Sequence, residues 1–158
     1  DEFQSSNKFD LIFLLNVLEH LKTPRKALRK ISSLLKNEGL LYLSIPNFNG
    51  IEVKIYNKFA YTLQLPYHLF HFTPKTIKKY LDDINFHIIE INYIKTDRDL
   101  IAPLHYISNQ TKHKIMAKFL LNFLTNKIIR NTIVNILVTL FSYLHLTSRM
   151  IIIAKKNE

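Results

Sequence analysis

FDLIFLLNVLEHLKTPRKALRKISSLLKNEGLLYLSIPN, residues Phe9 to Asn47, is the stretch that decides the fold. Asp10 to Leu15 reads as one apolar run, the pattern of a strand buried on both faces. Thr23 then predicts a helix N-cap, with Pro24 at the first helical position, where its missing N–H costs nothing. Ala27, Leu28, Ile31, Leu34 and Leu35 fall on one helical stripe, and Lys22, Arg25, Lys26, Arg29, Lys30 and Lys36 lie mostly off it. Asn37-Glu38-Gly39 predicts the helix end, with Gly39 in the left-handed position after the cap. Leu40 to Ile45 is the next apolar strand. The unit is β-α-β, and Asn16, Glu19, His20 and Asn47 follow the carboxyl ends of its strands, where open α/β sheets place ligands. Asp10, at the opposite end, reads as structural.

Downstream, Asn47 to Leu65 predicts a connection with a short helix around Ile51 to Phe59. Pro66-Tyr67-His68-Leu69-Phe70-His71-Phe72 is an aromatic, histidine-rich loop. Thr73-Pro74 repeats the cap signal and opens a helix through about Ile84, with Asn85 where glycine usually ends a helix. Phe86 to Ile94 alternates and is β-branched, as a strand does. Asp97 to about Leu146 predicts helices in two or three pieces, the first interrupted by Pro103. Met150 to Ala154 predicts a short closing strand. The fold class is α/β, a Rossmann-like sheet with a helical insertion near the carboxyl end.

A chain of 158 residues, 47% hydrophobic and 22% charged, suits one globular domain. It has no cysteine, which excludes disulfides and thiolate metal sites and fits a cytoplasmic location. The first residue is Asp1 and the only methionines are Met116 and Met150, so the expectation is a chain that begins inside a longer protein. No signal peptide is visible. The formal charge is +10. From Leu100 onward Lys112, Lys114, Lys118, Lys127, Arg130, Arg149, Lys155 and Lys156 face a single acid, Glu158. The bias suggests an anionic partner, the plainer alternative being a solvated basic face. No aromatic-plus-basic stripe of a nucleic-acid module is present, so nucleic acid ranks last among partners. Residues 115–146 are apolar with interspersed bases. Their longest uncharged run, Asn131 to Leu146, is shorter than the ~20 residues a membrane span needs. They suit a membrane-surface helix pair, peripheral at the inner membrane face, or a hydrophobic lid. The alternative is packing against the sheet.

In order and spacing these pieces resemble the class I S-adenosylmethionine-dependent methyltransferases of the ubiquinone and sugar type. Phe9-Asp10 opens a strand; Leu18-Glu19-His20-Leu21 follows; Lys36-Asn37-Glu38-Gly39-Leu40-Leu41 stands at a family turn. Ile45-Pro46-Asn47, Pro66-x-His68-x-x-His71-Phe72-Thr73, Asn85-Phe86 and the strand before Lys155-Lys156 complete the likeness. The resemblance implies strands four to seven of a seven-stranded sheet, hence the carboxyl-terminal half of such a domain. On that reading 1–158 is one partial domain: a Rossmann-like half at 1–96, a helical insertion or lid at 97–148, and the closing strand at 149–158. The implied cofactor is S-adenosylmethionine, and the implied reaction is O-methylation of a small molecule or glycan. The implied partner is a missing amino-terminal half carrying the glycine-rich cofactor turn. Here the only glycines are Gly39 and Gly50, so this chain alone is expected to be inactive, to expose the Asp10–Leu15 edge, and to dimerise or dissolve poorly. The alternative is a non-catalytic or split half that serves as an interaction module.

The resemblance also distributes roles. Leu15 and Asn16 end the first strand where relatives touch the cofactor's methionine portion; the alternative for Asn16 is a cap. On a helical turn Asn16, Glu19 and His20 would share one side. Some relatives bind a divalent metal there together with a later histidine; here Asn16 stands in place of one carboxylate ligand, and Glu19 and His20 with His68, or with His71 in its place, form a candidate metal set. The competing readings are that Glu19 and His20 brace the loop through backbone bonds, or that His20 or His71 takes a proton from the acceptor. Tyr67, His68 and Phe70 would line the acceptor pocket, and Asn47 would bond either substrate or backbone.

Overall fold

The computed structural model describes residues 7–110 and 114–157; Lys112 and Glu158, counted in the charge above, lie outside them. In chain order the elements are β1 (Phe9–Leu15), α1 (Pro24–Leu34), β2 (Leu35–Pro46), α2 (Ile51–Tyr56), α3 (Pro74–Asp82), β3 (Phe86–Tyr93), α4 (Arg98–Gln110), α5 (Lys114–Thr125), α6 (Lys127–Ile129), α7 (Asn135–Tyr143) and β4 (Arg149–Lys156). The strands form an open, mixed sheet in the order β1-β2-β4-β3, flanked by helices. This is the architecture of an incomplete Rossmann-like methyltransferase fold with carboxyl-terminal helices. The chain forms two compact units. One comprises the chain up to Pro46, Pro66–Asn92 and Met150 onward; the other comprises Asn47–Leu65 and Tyr93–Arg149.

In the sheet unit β1 and β2 run parallel, with Leu11 opposite Leu40 and Leu15 opposite Ser44. Between Phe9, opposite Leu35, and Leu11 the register shifts. There the structure corrects the expected helix end. β2 starts at Leu35, directly after α1, and Glu38 takes the left-handed conformation (φ 64°) while Gly39 does not. Glycine is needed at 39 for room: a Cβ would meet the Lys36 carbonyl oxygen at 2.9 Å. Asn85 does adopt the left-handed conformation (φ 63°) after α3. Thr73 caps α3 in a reciprocal pair, accepting from the Thr76 N–H (3.1 Å) while the Thr76 hydroxyl accepts from the Thr73 N–H (2.8 Å). Thr23 precedes α1 with Pro24 at its first position but forms no side-chain cap bond.

The core of this unit lies on the middle strands. Leu41, Leu43 and Ile45 of β2 and Met150, Ile152 and Ala154 of β4 are fully buried, as are Leu28 of α1 and Ile77 and Leu81 of α3. β1 departs from the expected two-sided burial. It is an edge strand, and Phe9, Leu11, Phe13 and Leu15 are exposed on it, with only Leu14 buried.

The second unit is mostly helical. Pro103 lies inside α4 and does not end it, correcting the expected interruption. It stands close to the helix start, where its missing N–H forfeits one intrahelical bond. Asn126 caps α6, its Oδ1 accepting from the Ile128 N–H at 3.0 Å. From there α6, a π-turn at Arg130–Val134 and α7 follow without a break.

Candidate functional site

β1 ends at Leu15, and Asn16 turns the chain in the left-handed conformation (φ 52°), its N–H donating to the Ser44 carbonyl at 2.9 Å. Asparagine is one of the few residues that tolerates this conformation. A 3₁₀ turn, Leu18–His20, follows. The left-handed turn breaks the helical spacing expected of Asn16, Glu19 and His20, so Asn16 lies outside the cluster described next.

Three backbone-directed bonds join the 3₁₀ turn to the histidine-rich loop. The Glu19 carbonyl accepts from the Leu69 N–H (2.8 Å) and the Phe70 N–H (3.1 Å), and His20 Nδ1 lies 3.0 Å from the Tyr67 carbonyl oxygen. A carbonyl can only accept, so Nδ1 carries the proton and the neutral ring keeps its basic lone pair on Nε2. The clamp sets the His20 and His68 rings edge to face with centroids 4.7 Å apart. One ligand atom from each of Glu19, His20 and His68 lies within 4.8 Å of the others; Glu19 and His68 are buried and His20 is exposed. Glu19 and His68 also have partners inside the protein.

The remaining residues of the loop divide. Tyr67 is exposed, whereas Phe70 and His71 are half-buried, and His71 is not part of the cluster. Phe70 stacks on Phe72, which is core and meets Tyr80 edge to face at 5.6 Å. Asn47 belongs to the second unit and is fully buried. Its Nδ2 donates to the Thr147 carbonyl (2.8 Å) and its Oδ1 accepts from the Asn49 N–H (3.0 Å).

Of the residues implied to touch the cofactor, Leu15 is exposed at the end of β1 and Asn16 turns the chain beside it. The glycines supply no cradle. Gly39 is closed in by Lys36 and Leu35, Gly50 by Ser148, and neither has positive φ.

Sequence reading missed several features of the second unit. A cleft of about 490 Å³ is walled by Phe59, Tyr61, Pro103 and Tyr106, with Lys58 and Gln64 at its polar positions. The Arg98 guanidinium sits 4.8 Å over the Tyr61 ring and donates to its hydroxyl. Asp99 is buried 3.6 Å from Arg149; burial pushes its carboxyl up to about 6, the nearby guanidinium opposing the rise. The buried carboxylate of Glu52 accepts from the backbone N–H and the hydroxyl of Thr62, and burial pushes the Tyr56 phenol up to about 12. The residues of the cleft lie up to 48 positions apart (Lys58 to Tyr106), with no spacing that announces them.

A methyltransferase-domain family matches residues 1–91. The chain belongs to that family. The match corrects two expectations from the resemblance: it runs over the amino-terminal part of this chain, not its carboxyl-terminal part, and so lies within the chain itself. A missing amino-terminal half is therefore not retained as a partner. Two uncharacterized proteins from two strains of Mycobacterium tuberculosis are 38% identical to this family member over 48 residues, which is 30% of this chain and 16% of each relative. The chain thus spans about a sixth of the length of these curated relatives. Among solved structures, a Haemonchus contortus phosphoethanolamine N-methyltransferase, in complex with phosphomonomethylethanolamine and S-adenosylhomocysteine, is similar to 99% of this chain over 35% of its own, at a TM-score of 0.54 and 19% identity. The [4+2]-cyclase SpnF is similar to 96% of this chain over 50% of its own, at a TM-score of 0.51 and 17% identity. Both likenesses concern the fold alone.

Proposed function

We propose that the intact protein transfers a methyl group from S-adenosylmethionine to an oxygen of a small-molecule or glycan acceptor. Membership of the methyltransferase-domain family supports the reaction class. The observation that carries the residue assignment is the clamp that fixes His20 beside His68 at the carboxyl end of β1. When bound, the cofactor supplies an electrophilic methyl group. The contribution of this chain is to hold the acceptor hydroxyl and receive its proton on His20 Nε2, the lone pair the clamp leaves available. His71 is the alternative proton acceptor. Tyr67, His68 and Phe70 bound the acceptor, Leu15 and Asn16 bound the cofactor, and the protein works in the cytoplasm.

The test is transfer of labelled methyl to a panel of hydroxylated acceptors by the intact protein. His20→Gln lowers kcat by about 10²-fold or more with KM little changed. An unchanged kcat would sink the base assignment. Binding of an acceptor without any methyl transfer would favour the interaction module instead.

One observation favours a second reading, a divalent metal on Glu19, His20 and His68: their ligand atoms already lie within 4.8 Å of one another. Two imidazoles and a carboxylate suit zinc or a similar ion, with open positions for the acceptor hydroxyl. Two of the three residues, Glu19 and His68, already have partners inside the protein. Metal analysis after dialysis decides it. The metal reading requires about one ion per chain, lost in Glu19→Gln.

A further inference from the structure

Helix α5 carries an exposed apolar arc that its own unit leaves uncovered. Ile115, Met116, Phe119, Leu120 and Phe123 are all exposed, Ile115 at 80%, and at 100° per residue they sweep about 140° of the helix surface. Ala117 marks the buried side, and Lys114, Lys118 and Asn122 occupy the remaining side, all exposed. Helix α7 repeats the pattern. Ile136, Leu137, Leu140 and Tyr143 are exposed, Tyr143 at 82%, while Val138 is buried. A surface this apolar marks an interaction site.

The charge says which kind. Residues 114–146 contain Lys114, Lys118, Lys127 and Arg130 and no acid. A second copy of the same surface would set these bases against each other. An anionic bilayer offers an apolar layer to the arcs and negative headgroups to the lysines at their rim. No helix among the described residues is long and apolar enough to cross a membrane, so the helices would lie along the surface.

We propose that α5 and α7 seat the protein on an anionic phospholipid surface, with lysines at the rim of an apolar face that enters the headgroup region. This goes beyond the chemistry proposed above and does not depend on it. The test is co-flotation of the full chain with vesicles of phosphatidylcholine alone or mixed with phosphatidylglycerol, at low and high salt. The protein floats with the mixed vesicles, little with the neutral ones, and less at high salt. Ile115→Asp with Phe119→Asp abolishes flotation. Lys114→Glu with Lys118→Glu lowers partitioning by about tenfold or more on the mixed vesicles only. Both pairs alter exposed side chains, and an unchanged thermal melt confirms folding. Three results overturn the proposal: equal flotation on both vesicle types, flotation that survives both pairs, or an apolar pair that instead converts a dimer to a monomer in vesicle-free solution.

Discussion

β4 and β1 are both short apolar strands, yet β4 contributes to the core of the sheet unit while β1 stands largely exposed. Met150, Ile152 and Ala154 are fully buried between β2 and β3, while Phe9, Leu11, Phe13 and Leu15 are exposed at the edge. Strand order, not composition, sets this difference. The last strand in sequence enters the middle of the sheet, and the first described strand stays outside it.

The sharpest way to break the comparison is the same deletion in both strands. Ile152→Ala costs about 3 kcal/mol by opening a cavity where nothing can collapse. Leu11→Ala costs less than about 1 kcal/mol, because Leu11 already faces solvent. Denaturant titration of the two variants reads the gap directly. Equal losses would mean that β1 is covered in solution.

The strand beginnings differ in the same sense. Arg149 starts β4 beside buried Asp99, whereas Asp10, second in β1, sits in an exposed pair with Lys36 at 2.8 Å. Burial raises the Asp99 carboxyl from 3.8 to about 6, so between those values the unfolded chain loses its proton first. Stability from this group is therefore full below about pH 4 and falls by roughly 2–3 kcal/mol as pH rises past 6. Asp99→Asn flattens that slope in melts from pH 4 to 7; a slope unchanged by the substitution sinks the assignment. Asp10→Asn should leave the melt where it is, since exposed ion pairs contribute little.

The helix starts give a smaller contrast. Thr73→Ala removes a cap bond that exists and costs about 1 kcal/mol; Thr23→Ala removes none and costs only tenths. Phe13→Lys likewise changes stability little, within about 0.5 kcal/mol. Its consequence is for association, because a charge on an exposed edge discourages pairing with other strands. Sedimentation should record fewer dimers than for the unaltered chain, and an unchanged distribution would clear the edge of that role.

Local signals were legible in the sequence. Thr73-Pro74 and Asn85 read correctly because caps and left-handed turns depend on neighbours within four residues. Glu38 did not, because the need for space at Gly39 outweighed its usual conformational use. The burial of β4 and the exposure of β1 depend on which strands lie beside them, and sequence order does not state that. At the site, the grouping of His20 with His68 came from family resemblance; the bonds that enforce it join backbone groups, which every residue carries. The Phe59–Tyr106 cleft had neither a motif nor a period to reveal it.

The clamp between His20 and Tyr67 spans 47 positions of sequence. A chain that has formed β1, α1 and β2 owns the Glu19–His20 turn but has nothing to hold it. The histidine pair thus exists only after a long loop has closed, and its ring contact reports late folding, not early collapse. Protection of the Leu69 and Phe70 amides from hydrogen exchange should appear after that of the β2 amides during refolding, with the competence of the site arriving at the same moment.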